Sequence, residues 1–137
     1  MNYSGGCHCG ALTFRFETAK APRDWSVRAC QCSFCRAHAA LSASDPDGSI
    51  AFAETRKGAL HRYRFGQKTA DFLVCRDCGV YIGATIETPR GPFGIVNVRA
   101  LKVIPDDLPA AQPMHYEAES MEERTARREQ RWSRVTA

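Results

Sequence analysis

No stretch of this chain approaches the roughly 18 consecutive apolar residues that a membrane-spanning helix needs. Its opening, Met-Asn-Tyr-Ser-Gly-Gly, has neither a basic n-region nor an apolar h-region. No secretory leader is therefore expected, and a cytoplasmic location without membrane partners is. Strand-like and long helix-like patterns do not alternate, so no βαβ unit is expected. No internal repeat and no low-complexity tract interrupts the chain. Charge of one sign is not abundant either: 19 Lys and Arg face 15 Asp and Glu. An eighth cysteine is also missing, and that absence matters because seven are present.

The seven fall into three groups: Cys7-x-Cys9, Cys30-x-Cys32-x-x-Cys35 and Cys75-x-x-Cys78. In a reducing compartment such clusters mean metal or redox chemistry, and an odd count leaves one sulfur over in any all-disulfide scheme. Metal is the favoured reading. The two pairs combine into one closed four-thiolate site, and the triplet is left with one coordination position open. Closed four-ligand zinc sites hold folds together, whereas three protein ligands with an exchangeable fourth position do chemistry. A four-cysteine site closing the long loop from Cys7 and Cys9 to Cys75 and Cys78 should contribute folding free energy outright. The rival for the triplet is a purely structural zinc, with His38 or an outside residue as fourth ligand. A Cys32–Cys35 redox dithiol is weaker, because no thioredoxin-like pattern surrounds it.

Gly10 and Gly79 each follow the second cysteine of a pair, where a metal knuckle needs a tight turn with positive φ. His8 lies between two ligands, and in an extended segment it points away from both. Seven thiolates and two divalent zinc ions add −3 to the formal +4, leaving about +1. The richest basic stretch, residues 54–68, alternates Arg62 and Arg64 with Leu60, Tyr63 and Phe65 and reads as a solvated strand face. A nucleic-acid partner is not expected.

At 137 residues and 44% hydrophobic content the chain is expected to form a single domain, residues 1–137. Alternating or β-branched runs predict strands at Ala11–Glu17, Asp71–Val74, Val80–Ile86 and Phe93–Val98. A short helix is expected over Ser33–Ala39 with Ser33 as N-cap. A second starts at Ser120-Met-Glu-Glu123, which reads as a capping box. Residues 115–137 are expected to form a C-terminal helical arm, with Tyr116, Met121, Trp132 and Val135 as its apolar anchors. The arm packs over the β core or against a second subunit, so a homo-oligomer is one outcome.

Gly6-Cys-His-Cys-Gly10, Cys30-Gln-Cys-Ser-Phe-Cys-Arg36, Cys75-Arg-Asp-Cys-Gly79 and Phe93–Leu101 resemble the glutathione-dependent formaldehyde-activating enzyme family, also called the GFA or CENP-V-type domain. The tail Tyr116-Glu-Ala-Glu119 with Trp132 is similar to the family's C-terminal ending. The resemblance implies a mainly β, Mss4-like (β-tent) zinc-binding fold of curved antiparallel sheets. It implies two Zn2+ ions: a structural one on Cys7, Cys9, Cys75 and Cys78, and a catalytic one on Cys30, Cys32 and Cys35. It also implies a carbon–sulfur lyase that condenses a thiol, glutathione, with a small aldehyde such as formaldehyde. Arg36, beside the open site, is a candidate for a ligand carboxylate. Asn97 and Arg99, two apart on an expected strand, are candidates to line the pocket. His38 is a candidate base or a satisfied polar residue. Trp25, Phe34 and Phe52 read as core or pocket wall. The rivals are a non-catalytic, zinc-stabilised thiol-binding module and, further off, a nucleic-acid-associated zinc module.

Overall fold

The computed structural model describes residues 1–136. Strands dominate it: β1 (Asn2–Gly6), β2 (Leu12–Glu17), β3 (Arg28–Cys30), β4 (Ser42–Ala43), β5 (Ser49–Glu54), β6 (Leu60–Tyr63), β7 (Asp71–Cys75), β8 (Tyr81–Thr88), β9 (Gly91–Asn97), β10 (Gln112–Met114) and β11 (Ser133–Thr136). Two helices accompany them, α1 (Ser33–His38) and α2 (Met121–Arg131). Every strand expected from the alternation is present, within one or two residues at each end. In β2 the alternation is visible as burial: Leu12, Phe14 and Phe16 are buried while Arg15 and Glu17 are exposed.

The strands form one curved open sheet that branches. Its main path runs β1-β2-β5-β11-β9-β4-β3-β10, and β8, β7 and β6 lead away from β9. The branch is at β9, which pairs with β8 along one edge and with β11 and β4 along the other. Most neighbours are antiparallel, as expected. Two pairs are parallel, β10 with β3 and β11 with β5. Both parallel strands come from the last part of the chain, which returns across the sheet instead of meandering.

This return corrects the expected helical arm. Helix α2 opens on the predicted capping box: Ser120 Oγ accepts from Glu123 N at 3.1 Å, and Glu123 Oε1 accepts from Ser120 N at 2.9 Å. After α2 the chain enters the sheet interior as β11, between β5 and β9. Trp132 and Ser133 are buried there. Ser133 Oγ donates to Asp45 O at 2.8 Å and accepts from Asp45 N at 2.7 Å, so β11 is tied in by side chain as well as backbone. Met121, expected as an anchor, is exposed, because it sits in the first turn facing solvent.

The main core lies between the sheet's curved halves, around Leu12, Phe14, Phe16, Trp25, Ile50, Leu73, Ile82 and Val96. A second cluster gathers Ile86, Phe93, Ile95 and Trp132 beneath α2. A third packs Cys35 against Ala40 and Tyr81. Among the described residues, no helix is long and apolar enough to cross a membrane.

Candidate functional site

The first cysteine group is assembled from two turns distant in sequence. Cys7 and Cys9 follow β1, and Cys75 and Cys78 end β7 and begin the turn into β8. Gly10 and Gly79 adopt φ of +83° and +79°, as the knuckle reading requires. Backbone N–H groups turn toward sulfur: Leu12 N donates to Cys7 Sγ at 3.2 Å, and Asp77 N to Cys75 Sγ at 3.4 Å. Cys7 and Cys9 Sγ lie 3.7 Å apart, and Cys9 and Cys75 Sγ lie 3.6 Å apart. A tetrahedral zinc with Zn–S bonds of about 2.3 Å requires sulfur–sulfur edges of about 3.8 Å. The donor set therefore fits the ion. All four sulfurs lie within 4.8 Å of one another. His8 is exposed and stands outside this group.

The triplet is built by a strand end and a helix start. Cys30 closes β3, held in register by pairing with Met114 of β10. Cys32 caps α1: its Sγ accepts from Cys35 N at 3.4 Å. The cap is thus Cys32, one residue before the expected Ser33, because a sulfur already lies over the helix's free N–H groups. Cys35 follows one turn later and is buried. The three sulfurs also lie within 4.8 Å of one another. Hydrogen bonds from the Cys30 and then the Cys35 thiol hold Cys32 far below the ordinary thiol value. The same contacts push Cys30 and Cys35 up. Three sulfurs this close compete for protons that a bound cation would displace, which is the behaviour of a metal donor set.

A cavity of about 410 Å³ opens beside the triplet. Cys30, Cys32 and Cys35 form one wall, with Phe65, Phe72, Ile95 and Trp132 as apolar lining. Arginines supply the other wall: Arg28 from β3, and Arg124, Arg127 and Arg128 from α2. Glu119 grips two of these, accepting from Arg127 Nε at 2.8 Å and Nη2 at 3.0 Å, and from Arg124 Nε at 3.3 Å. The Arg127 guanidinium also sits 3.6 Å from the Tyr116 ring centroid. An aromatic shelf supports α1, where Phe34 stacks on Tyr63 and on the cavity-lining Phe65 and meets Tyr81 edge-on.

Three expected substrate contacts are placed elsewhere. Asn97 ends β9 and Arg99 lies in the 3-10 turn Val98–Ala100, so the two do not share a strand face. Asn97 is buried and committed: Nδ2 donates to Tyr81 O at 2.9 Å, and Oδ1 accepts from Arg99 N at 3.2 Å. Arg99 donates from Nε to Ala39 O. Both line a separate hollow with His38 and Cys78. Arg36 is exposed on α1 and does not line the cavity beside the triplet. His38 is exposed and stacks on Phe34 at 4.5 Å. Trp25 is core. Phe52 packs against that core. Arg62 and Arg64 are exposed and both pair with Asp71, as a solvated face would be.

Sequence reading missed the arginine wall. Its signal was present: Arg124, Arg127 and Arg128 recur at helical spacing. Arg28 carried no signal, since only β3's pairing carries it to that stripe.

The profile described as "Glutathione-dependent formaldehyde-activating enzyme" matches residues 2–118. A Rhodobacter sphaeroides protein of known crystal structure is similar over 81% of this chain and 99% of its own length. It shows 31% sequence identity and a TM-score of 0.60.

Proposed function

Because the chain belongs to the glutathione-dependent formaldehyde-activating enzyme family, we propose that it adds a thiol, glutathione, to a small aldehyde such as formaldehyde. The observation that carries the reading is the triplet, which has no fourth protein ligand among the described residues and faces a cavity with room for a ligand. On this reading Cys30, Cys32 and Cys35 hold a catalytic zinc, and Cys7, Cys9, Cys75 and Cys78 hold a structural one. A zinc with an open position supplies two things when bound: it favours the thiolate form of an incoming thiol and polarises a carbonyl.

The chain's own residues do the rest. The apolar lining, Phe65, Phe72, Ile95 and Trp132, lowers the polarity around the reacting atoms. The arginines of β3 and α2 give the cavity a positive potential that favours anionic thiols. Asn97 serves as a support, holding the Tyr81 backbone beneath the triplet. Arg36 would meet only a ligand long enough to reach the exposed side of α1. In the overall reaction one carbon–sulfur bond forms, the thiol proton ends on the carbonyl oxygen, and no electrons leave the substrate. That makes a redox cofactor unnecessary.

One observation favours a second reading. Among the described residues, the cavity lining holds no histidine and one carboxyl, Glu117, whose side chain is 74% exposed. A site without a buried proton acceptor suits a thiol-binding module that does not turn over. Exchange spectroscopy on formaldehyde and glutathione separates the two. The zinc-loaded protein should accelerate exchange between free formaldehyde and S-hydroxymethylglutathione, and Cys32→Ser should abolish that while remaining folded. Saturable glutathione binding with an unchanged exchange rate would replace the enzyme by the module.

A further inference from the structure

We propose that Arg28 and Arg128 form a carboxylate-binding subsite inside the cavity, so that the chain selects an anionic substrate by two buried guanidiniums. The inference rests on the reading of this cavity as the thiol-and-aldehyde site.

Four arginines line one cavity, but they are not equivalent. Arg124 and Arg127 share Glu119 as counter-ion. Arg28 and Arg128 are each only 8% exposed, and neither has a carboxylate within 4.0 Å among the described residues. Their partners are neutral. Arg28 donates to Ser44 Oγ at 2.8 Å and weakly to Ser26 O at 3.4 Å. Arg128 donates from Nη1 to Thr69 Oγ1 at 2.8 Å, and its buried Nε has no hydrogen-bond partner among the described residues. The Trp132 ring lies 5.0 Å from the Arg128 guanidinium and softens its burial without accepting a hydrogen bond.

A buried charge lacking a counter-ion, with an N–H donor left empty, is costly, and folds keep such groups where a ligand completes them. Burial, then repulsion from Arg127 and Arg124, lowers Arg128 to about 10, so it still carries its charge at neutral pH. Even with one net negative charge on a zinc-loaded triplet, the cavity holds more positive than negative charge. A planar carboxylate fits the forked donors of two guanidiniums, and it would lie close to the triplet wall. Arg28 lies within the family match, residues 2–118, and Arg128 lies beyond it.

The carboxylate can belong to the thiol or to the aldehyde, and both sources can be read without the metal chemistry. Trp132 lines the cavity beside Arg128, whereas Trp25 is buried in the distant core and supplies a constant background. The experiment titrates zinc-loaded protein with S-methylglutathione, which has carboxylates but no free thiol, while recording tryptophan emission. Saturable change is expected, absent with the diethyl ester, and weakened roughly 10–100-fold in Arg128→Met, as expected for loss of a charged hydrogen bond. Arg28→Met should weaken it independently, and Arg128→Lys should recover part of the loss. A response to glyoxylate with none to S-methylglutathione would put the carboxylate on the aldehyde. Silence to both anions, an equal response to the diester, or unchanged affinity in folded Arg128→Met and Arg28→Met would overturn the proposal. Failure of the thiol reading would instead appear as an emission response to the anion with no spectral change on adding free glutathione to cobalt-substituted protein.

Discussion

The Sγ atoms of Cys9 and Cys75 stand 3.6 Å apart across 66 residues of chain. A metal bridging them closes a loop that spans β2 to β7, and the unfolded chain has no preformed version of that site. Binding energy at such a site is folding energy. Cys75→Ser or Cys9→Ser should therefore lower the thermal midpoint by more than about 10 °C and reduce soluble yield. Cys32→Ser should shift it by only a few degrees, because Cys30, Cys32 and Cys35 sit within one short segment. Differential scanning calorimetry of the three variants checks this. Equal collapse of Cys32→Ser and Cys75→Ser would make the triplet structural too.

Metal removal should follow the same division. The triplet is local in sequence and faces an open cavity, whereas the four-cysteine group ties Cys7 and Cys9 to Cys75 and Cys78 across the fold. Two zinc equivalents are expected by elemental analysis. Mild chelation should extract one first, with the far-ultraviolet spectrum unchanged, and the second only with unfolding. A single equivalent, or loss of both together, contradicts the division into four and three.

The parts of the site that were legible in sequence are local. Cysteine spacing specifies the triplet and the two half-sites of the four-cysteine group, because ligands two or three residues apart readily face one point; that the half-sites join follows from the count, not from spacing. The strand Leu12–Glu17 was legible because its alternation maps directly onto buried and exposed faces. What escaped depends on distant pairing. The segment Ser-Arg-Val-Thr of β11 is too short and polar to show a period, and it becomes an interior strand only through β5 and β9. Asn97 and Arg99 looked like one strand face because the 3-10 turn at Val98 is set by Asn97's own side chain, which accepts from Arg99 N. The arginine cavity joins residue 28 to residues 124–128, a juxtaposition that no local pattern encodes.

Asp45 predicts a pH dependence. Its side chain is 3% exposed, and burial alone would raise it. The Thr18 hydroxyl, the Asp47 N–H and the Lys20 ammonium nevertheless favour the carboxylate, and the net direction is downward. A folded value below the unfolded one means the stabilisation is fully present above the ordinary value of about 4 and is lost as pH falls through the folded value. Asp45→Asn should thus be less stable than the parent near pH 7, by about 1.5–3 kcal/mol. The gap should close as pH falls below the ordinary carboxylate range and through the lower folded value, with excess zinc in both samples so that metal release cancels. A gap that stays constant with pH would show that packing, and not charge, is what the substitution removes.

Tyr81 tests the boundary between the core and the site. Its ring is fully enclosed, meeting Phe34 edge-on at 5.0 Å and sharing a cluster with Cys35 and Ala40. Its hydroxyl is buried and has no hydrogen-bond partner among the described residues. Burial, then the nearby Cys35, Cys30 and Cys32 sulfurs, hold the phenol protonated well above its ordinary range. The hydroxyl is therefore a neutral donor kept beside the triplet at a desolvation cost of about 1–3 kcal/mol. If it serves nothing, Tyr81→Phe keeps the packing and removes the cost, so the midpoint should rise by several degrees. If it donates to a ligand held at the triplet, the same variant should still gain stability but lose glutathione affinity about tenfold, the scale of one neutral hydrogen bond. Melting curves and a glutathione titration on one preparation decide between these outcomes. A variant that is less stable than the parent would contradict both, because it would mean that the hydroxyl is satisfied in the folded protein.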